Sequence, residues 1–166
     1  MNRQLLEKII RNDLERSSIH EAAHHVLLEN AGGVGIIELF DSDIDIDSED
    51  VLREFRLVTG HVKIYRLARS DEDMRWVGLA GRIAEIKDAY DKGDFWLHDP
   101  AEIREELEIG GDYEMSATDF EDARGFTVED VVKTVALVDH YWDQITTTAA
   151  FKRKAFILDG GGRGLL

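Results

Sequence analysis

The chain contains no cysteine. Disulfides and thiolate metal sites are therefore excluded, and any bound metal must be held by His, Asp or Glu. Long apolar runs are also missing. None approaches the roughly 20 residues needed to cross a bilayer, and the N-terminal MNRQLLEKIIRNDLERS is charged and amphipathic, without the apolar core of a signal peptide. A cytoplasmic location is expected. Basic residues are scarce: 20 Lys and Arg stand against 35 Asp and Glu, a formal charge of −15. Such a field repels phosphate backbones and anionic lipid, so neither nucleic acid nor membrane is an expected partner, whereas a basic protein partner would be attracted. No G-x-x-x-x-G-K-[ST] phosphate loop occurs anywhere in the chain.

What is present is enough for one core. At 166 residues, 43% of them hydrophobic, the chain reads as a single domain over residues 1–159, with a Gly-rich flexible tail over 160–166. Leu5, Ile9, Ile10 and Leu14, then Ile19, Ala22, Ala23, Val26 and Leu27, follow helical spacing. They form one long helix, or two if Ser17-Ser18 caps the second. The pattern stops at Asn30-Ala31-Gly32-Gly33. Gly35–Phe40, Phe55–Val58 and His61–Leu67 read as strands, with Thr59-Gly60 as a turn. A helix is predicted from Asp71 to about Tyr90 and a short one from the only proline, Pro100, to Leu107. Another runs from Ser116 to Arg124, and a long helix capped by Thr127 carries Val131, Val135, Val138, Trp142 and Ile145. The fold class is α+β, mostly helical, with a small two- or three-stranded sheet beside the first helix.

That first helix carries the chemistry. His20-Glu21-Ala22-Ala23-His24 is an HExxH motif, whose imidazoles project from one helical face a turn apart. Both can bind one Zn²⁺, and Glu21 can reach a water on the metal as general base. A catalytic zinc usually takes three protein ligands. The extended HExxHxxGxxH form is ruled out, because Leu27 and Asn30 occupy its later positions. The third ligand must come from a later segment.

Two further blocks, in order, make the chain resemble the peptidase domain of FtsH-type, ATP-dependent zinc proteases. Leu79-Ala80-Gly81-Arg82-Ile83-Ala84-Glu85 is similar to that family's L-G-G-R-x-A-E helix, and Ser116-Ala117-Thr118-Asp119-Phe120-Glu121-Asp122-Ala123 to its G-A-x-N-D-x-x-x-A segment. The blocks span roughly residues 15 to 150, although the intervening sequence is not close. The resemblance implies a zinc site of His20, His24 and Asp119 with Glu21 as general base. Glu85 is the alternative ligand, or else it supports a ligand histidine or Arg82 from the second helix. The implied activity is zinc-dependent peptide-bond hydrolysis on a peptide or unfolded-protein substrate. The family's motor is missing, so any driven delivery would need a separate ATPase. The competing reading is a non-catalytic, peptidase-like binding module whose acidic surface docks a basic partner.

Other signals are weaker. His25 lies ~100° around the helix from His24 and reads as packing or surface. His61, His98 and His140 are isolated; of these, His98 sits on an aromatic loop that could approach the site. Asp41–Asp50 resembles a calcium loop but offers Ile46 and Leu52 where an EF-hand needs glycine and glutamate, so it reads as a solvated acidic loop or an edge strand.

Overall fold

The computed structural model describes residues 2–44, 46, 56–91, 99–108, 111 and 113–166. Helix α1 (Arg3–Asn30) is a single helix of 28 residues. The serine pair does not divide it. Ser18 Oγ donates back to the Glu15 carbonyl at 2.9 Å, and Ser17 Oγ donates across to the Val58 carbonyl at 2.8 Å. Both hydroxyls are thus spent on carbonyls rather than on capping N–H groups. The helix spans two apolar clusters. Leu6, Ile10 and Leu14 pack with Leu57 and Val58, and Ala22, Ala23, Val26 and Leu27 enter the main core.

Strands β1 (Val34–Asp41) and β2 (Val58–Arg66) form an antiparallel pair, with Glu38 opposite His61 and Asp41 opposite Val58. The sheet has two strands, and it lies against α1. Thr59-Gly60 is not a turn, as its composition suggests, but part of β2. Gly60 pairs with Leu39, and a Cβ there would stand 2.8 Å from Glu21 Cγ. Its glycine serves close approach to α1 rather than chain reversal. The expected strand over 55–58 merges into β2 at Val58, residue 55 lying outside the described residues.

Helix α2 (Asp71–Asp91) packs along α1 and buries Val77, Leu79, Ala80, Ile83 and Ala84 between α1 and the later helices. Helix α3 (Pro100–Leu107) has Asp99 as N-cap and its proline in the first turn, where a missing N–H costs nothing. Helix α4 (Ala117–Asp122) starts at Ser116, whose hydroxyl accepts from the Asp119 N–H at 3.2 Å. A capping box between Thr127 and Asp130 opens α5 (Val128–His140). The long helix expected beyond Thr127 is broken at Tyr141, and α6 (Trp142–Leu158) follows. Neither glycine nor proline marks the break, and the apolar spacing continues across it, with Val138 and Ile145 both buried.

Residues 160–166 fold back on the domain. The Arg163 N–H donates to Asp41 Oδ2 at 2.9 Å, and its guanidinium donates to the Ser42 and Ile44 carbonyls at 2.7 and 2.6 Å. Leu165 and Leu166 pack against the cluster of Leu6, Ile10 and Leu14. No helix among the described residues is long and apolar enough to cross a membrane.

Candidate metal centre

Helical periodicity places His20 and His24 on the face of α1 that meets α2, and α4 brings Asp119 to the same point. His20 Nε2 and His24 Nε2 are 2.9 Å apart. Asp119 Oδ2 is 3.1 Å from the first, and Oδ1 is 3.2 Å from the second. All three side chains are buried, and among the described residues they form the group of His and carboxylate suited to a metal ion.

Two glycines on α2, one turn apart, make room for this convergence. A Cβ on Gly81 would lie 2.5 Å from His24 Nε2 and 2.6 Å from His20 Nε2. One on Gly78 would lie 2.8 Å from the Asp119 carbonyl and 2.7 Å from the Ala123 nitrogen. Gly81 therefore admits the imidazoles, and Gly78 lets the backbone of α4 approach closely enough to deliver Asp119.

The outer nitrogens of the two histidines differ. His24 Nδ1 donates to the Val77 carbonyl at 2.6 Å, which fixes its tautomer and leaves Nε2 with a lone pair. His20 Nδ1 is buried without a hydrogen-bond partner; its nearest anion is Glu85 Oε2, 3.6 Å away. Glu85 thus lies behind His20, on the side opposite the ligand group. Its carboxylate accepts from Arg56 at 2.5 Å and from Arg82 at 2.6 Å, with Arg16 at 3.7 Å. Arg82 also donates from Nε to the Glu114 carbonyl at 3.0 Å.

Burial alone pushes the His20 imidazole down, but Asp119 and Glu85 outweigh it and raise His20 to about 10. His24 is raised as well, its burial overcome chiefly by Asp119. Asp119 is held well below the usual carboxylate range, because the two histidines outweigh its own burial. Such a cluster has two nitrogen lone pairs and a carboxylate facing one point, and it demands a cation there, either protons or a metal. Ligand atoms around a tetrahedral zinc lie about 3.3 Å apart for bonds of about 2.0–2.1 Å. The observed 2.9–3.2 Å separations meet that spacing with shifts of a few tenths of an ångström. The donor set of two imidazoles and one carboxylate also suits zinc.

A cavity of about 360 Å³ opens over the group, and Glu21 lines it beside Thr59 and Gly60 of β2. The expected site residues His20, Glu21, His24 and Asp119 all border this cavity, as does Arg82. His25 lies apart, 3.4 Å from Glu29. His140 stacks edge-on against Tyr141. His98 lies outside the described residues. His61, which reads as an ordinary structural histidine, lines the cavity from β2, its Nε2 3.0 Å from Glu38. Arg56 and Gly60 were likewise missed. No local motif flags either, since their roles depend on partners 29 and 39 positions away, at Glu85 and Glu21. No family model matches the chain, and no curated protein matches it.

Proposed function

We propose that this protein is a zinc-dependent metallopeptidase with His20, His24 and Asp119 as metal ligands. One observation carries this reading: three ligand atoms converge under a cavity that the HExxH glutamate also lines. When bound, zinc supplies Lewis-acid polarisation of a carbonyl and makes water a stronger acid at neutral pH. Glu21, which lines the same cavity, would take the proton of the attacking water and return it to the departing amine. Val77 orients His24 through its carbonyl, and Glu85 faces the buried N–H side of His20.

A peptide is favoured over other hydrolysable substrates by the strand beside the cavity. The edge of β2 away from β1 has no strand partner among the described residues, and Thr59, Gly60, His61, Val62 and Ile64 of β2 line the cavity. An extended chain can add to such an edge through main-chain hydrogen bonds.

The test is metal content and hydrolysis together. Purified protein should contain about one zinc per chain and cleave unstructured peptides. Glu21→Gln should retain zinc and lose hydrolysis by about 10²-fold or more, whereas His24→Ala should lose zinc. Wild type without zinc, or Glu21→Gln with full activity, would refute the assignment. Salt-sensitive capture of a basic protein, indifferent to Glu21→Gln, would support the docking module instead.

A further inference from the structure

The cavity is not symmetrical along its length. Helix α1 and strand β2 run side by side in the same direction: Ser17 meets Val58, Glu21 meets Gly60, and Leu28 lies beyond, among residues that contact the Val62–Ile64 region. At the Ser17 end stand Arg56 and Arg82, both lining the cavity and both anchored on Glu85. Leu28, Val62, Ile64 and Val77 line the other side of the cavity, with Asp122 near His24.

Among the described residues, guanidinium groups gather at the first end, in a chain of net charge −15. Arg16, Arg56 and Arg82 approach Glu85, and Asp13 also lies near Arg16 and Arg56. Each guanidinium has five N–H donors; Glu85 takes one from Arg56 and one from Arg82, and the Glu114 carbonyl takes a second from Arg82. Both groups border the cavity, and their hydrogen bonds among the described residues use only part of their donors. Their anchoring on a buried carboxylate fixes them in place, so little side-chain freedom is lost on binding.

We infer that Arg56 and Arg82 form a carboxylate-binding subsite that orients the substrate and selects its chemistry. This rests on the peptidase reading. A peptide that adds antiparallel to β2 runs from the apolar end toward the arginine end. Its residues before the scissile bond meet Leu28, Val62 and Ile64. An acidic side chain or a free C-terminal carboxylate after that bond meets the two guanidiniums. The preferred substrate is therefore an extended peptide that is apolar before the cleaved bond and acidic after it.

The experiment uses the zinc-loaded wild-type protein and three peptides of equal length. The first carries Glu just after an intended apolar–X cleavage bond, the second carries Gln there, and the third moves the Glu to before the bond. Affinity is read by fluorescence anisotropy, and cleavage by mass spectrometry. The first peptide should bind and be cleaved at least about tenfold better than the other two, as a charge-assisted bidentate contact implies. The advantage should shrink at high salt. Arg56→Gln should reduce the Glu-over-Gln ratio toward one, and Arg56→Lys should restore part of it. Equal affinities for all three peptides, or tighter binding of the third, would overturn the subsite. An affinity preference without any cleavage would leave the subsite standing and overturn the peptidase reading.

Discussion

Gly81 shows how little space the His20–His24–Asp119 cluster leaves at the scale of one residue. A methyl group there would fall 2.5–2.6 Å from the two imidazoles, inside contact distance with the ligand nitrogens. Gly81→Ala should therefore lower zinc content well below one per chain while the helical circular dichroism signal survives. Stoichiometric zinc in this variant would mean that the imidazoles have room the geometry denies them. Sequence alone makes His20 and His24 legible, because four-residue spacing on a helix is a local rule. Asp119 is 99 residues from His20 and became visible only through resemblance to a known motif. No periodicity joins it to the histidines. The role of Gly81 was hidden for the same reason: its side-chain space is occupied by another helix.

At the scale of elements, the centre depends on how closely α4 approaches α2. Gly78 sits against the backbone of Asp119 and Ala123, so Gly78→Ala should push α4 outward. Overpacking of this kind typically costs about 1–3 kcal/mol, readable by urea denaturation, and here it should also weaken zinc binding. Thr127→Ala offers the contrast. Loss of that capping box should cost about 1 kcal/mol with zinc affinity unchanged, because α5 carries no ligand. If both variants affected zinc alike, the coupling would run through global stability rather than through α4. Most elements were readable from caps and spacing: Asn30–Gly33 ends α1, Pro100 opens α3, and Ser116 and Thr127 open α4 and α5. The errors have physical causes. Thr59-Gly60 has turn composition, but its glycine answers to Glu21 across the sheet–helix contact. The break at Tyr141 is a local departure of the backbone (φ −96°, ψ 13°) that leaves the apolar spacing intact, so a pattern of buried positions passes straight over it.

For the whole molecule, the buried His20–His24–Asp119 cluster ties folding to pH and, on the proposed reading, to metal. In metal-free protein, His20 is raised from 6.5 to about 10 in the folded state, with burial opposing and Asp119 and Glu85 prevailing. A raised imidazole contributes stability that is fully present below its unfolded value and is lost as pH climbs through the folded value. The melting temperature of metal-free protein should accordingly fall between about pH 6.5 and 10. Saturating zinc should raise the melting temperature and flatten this decline, since a metal replaces the protons the cluster otherwise needs. Differential scanning calorimetry with and without chelator reads both effects. A metal-free melting temperature that rises over this window would show that the histidines are not held protonated by Asp119 and Glu85.

If the cavity takes an extended peptide as proposed, the parallel course of α1 and β2 gives the cleft a length scale. A helical turn of four residues advances about 6 Å, and two residues of extended chain advance about 6.6 Å. The two scales stay nearly in step, which is why Ser17 falls at Val58 and Glu21 at Gly60. From Ser17 to Leu28 the helix covers about 16 Å, the length of about five residues of an added strand. Peptides shorter than that would engage only one end of the cleft. A length series around a fixed cleavage bond should show kcat/KM rising up to about five residues and levelling off beyond.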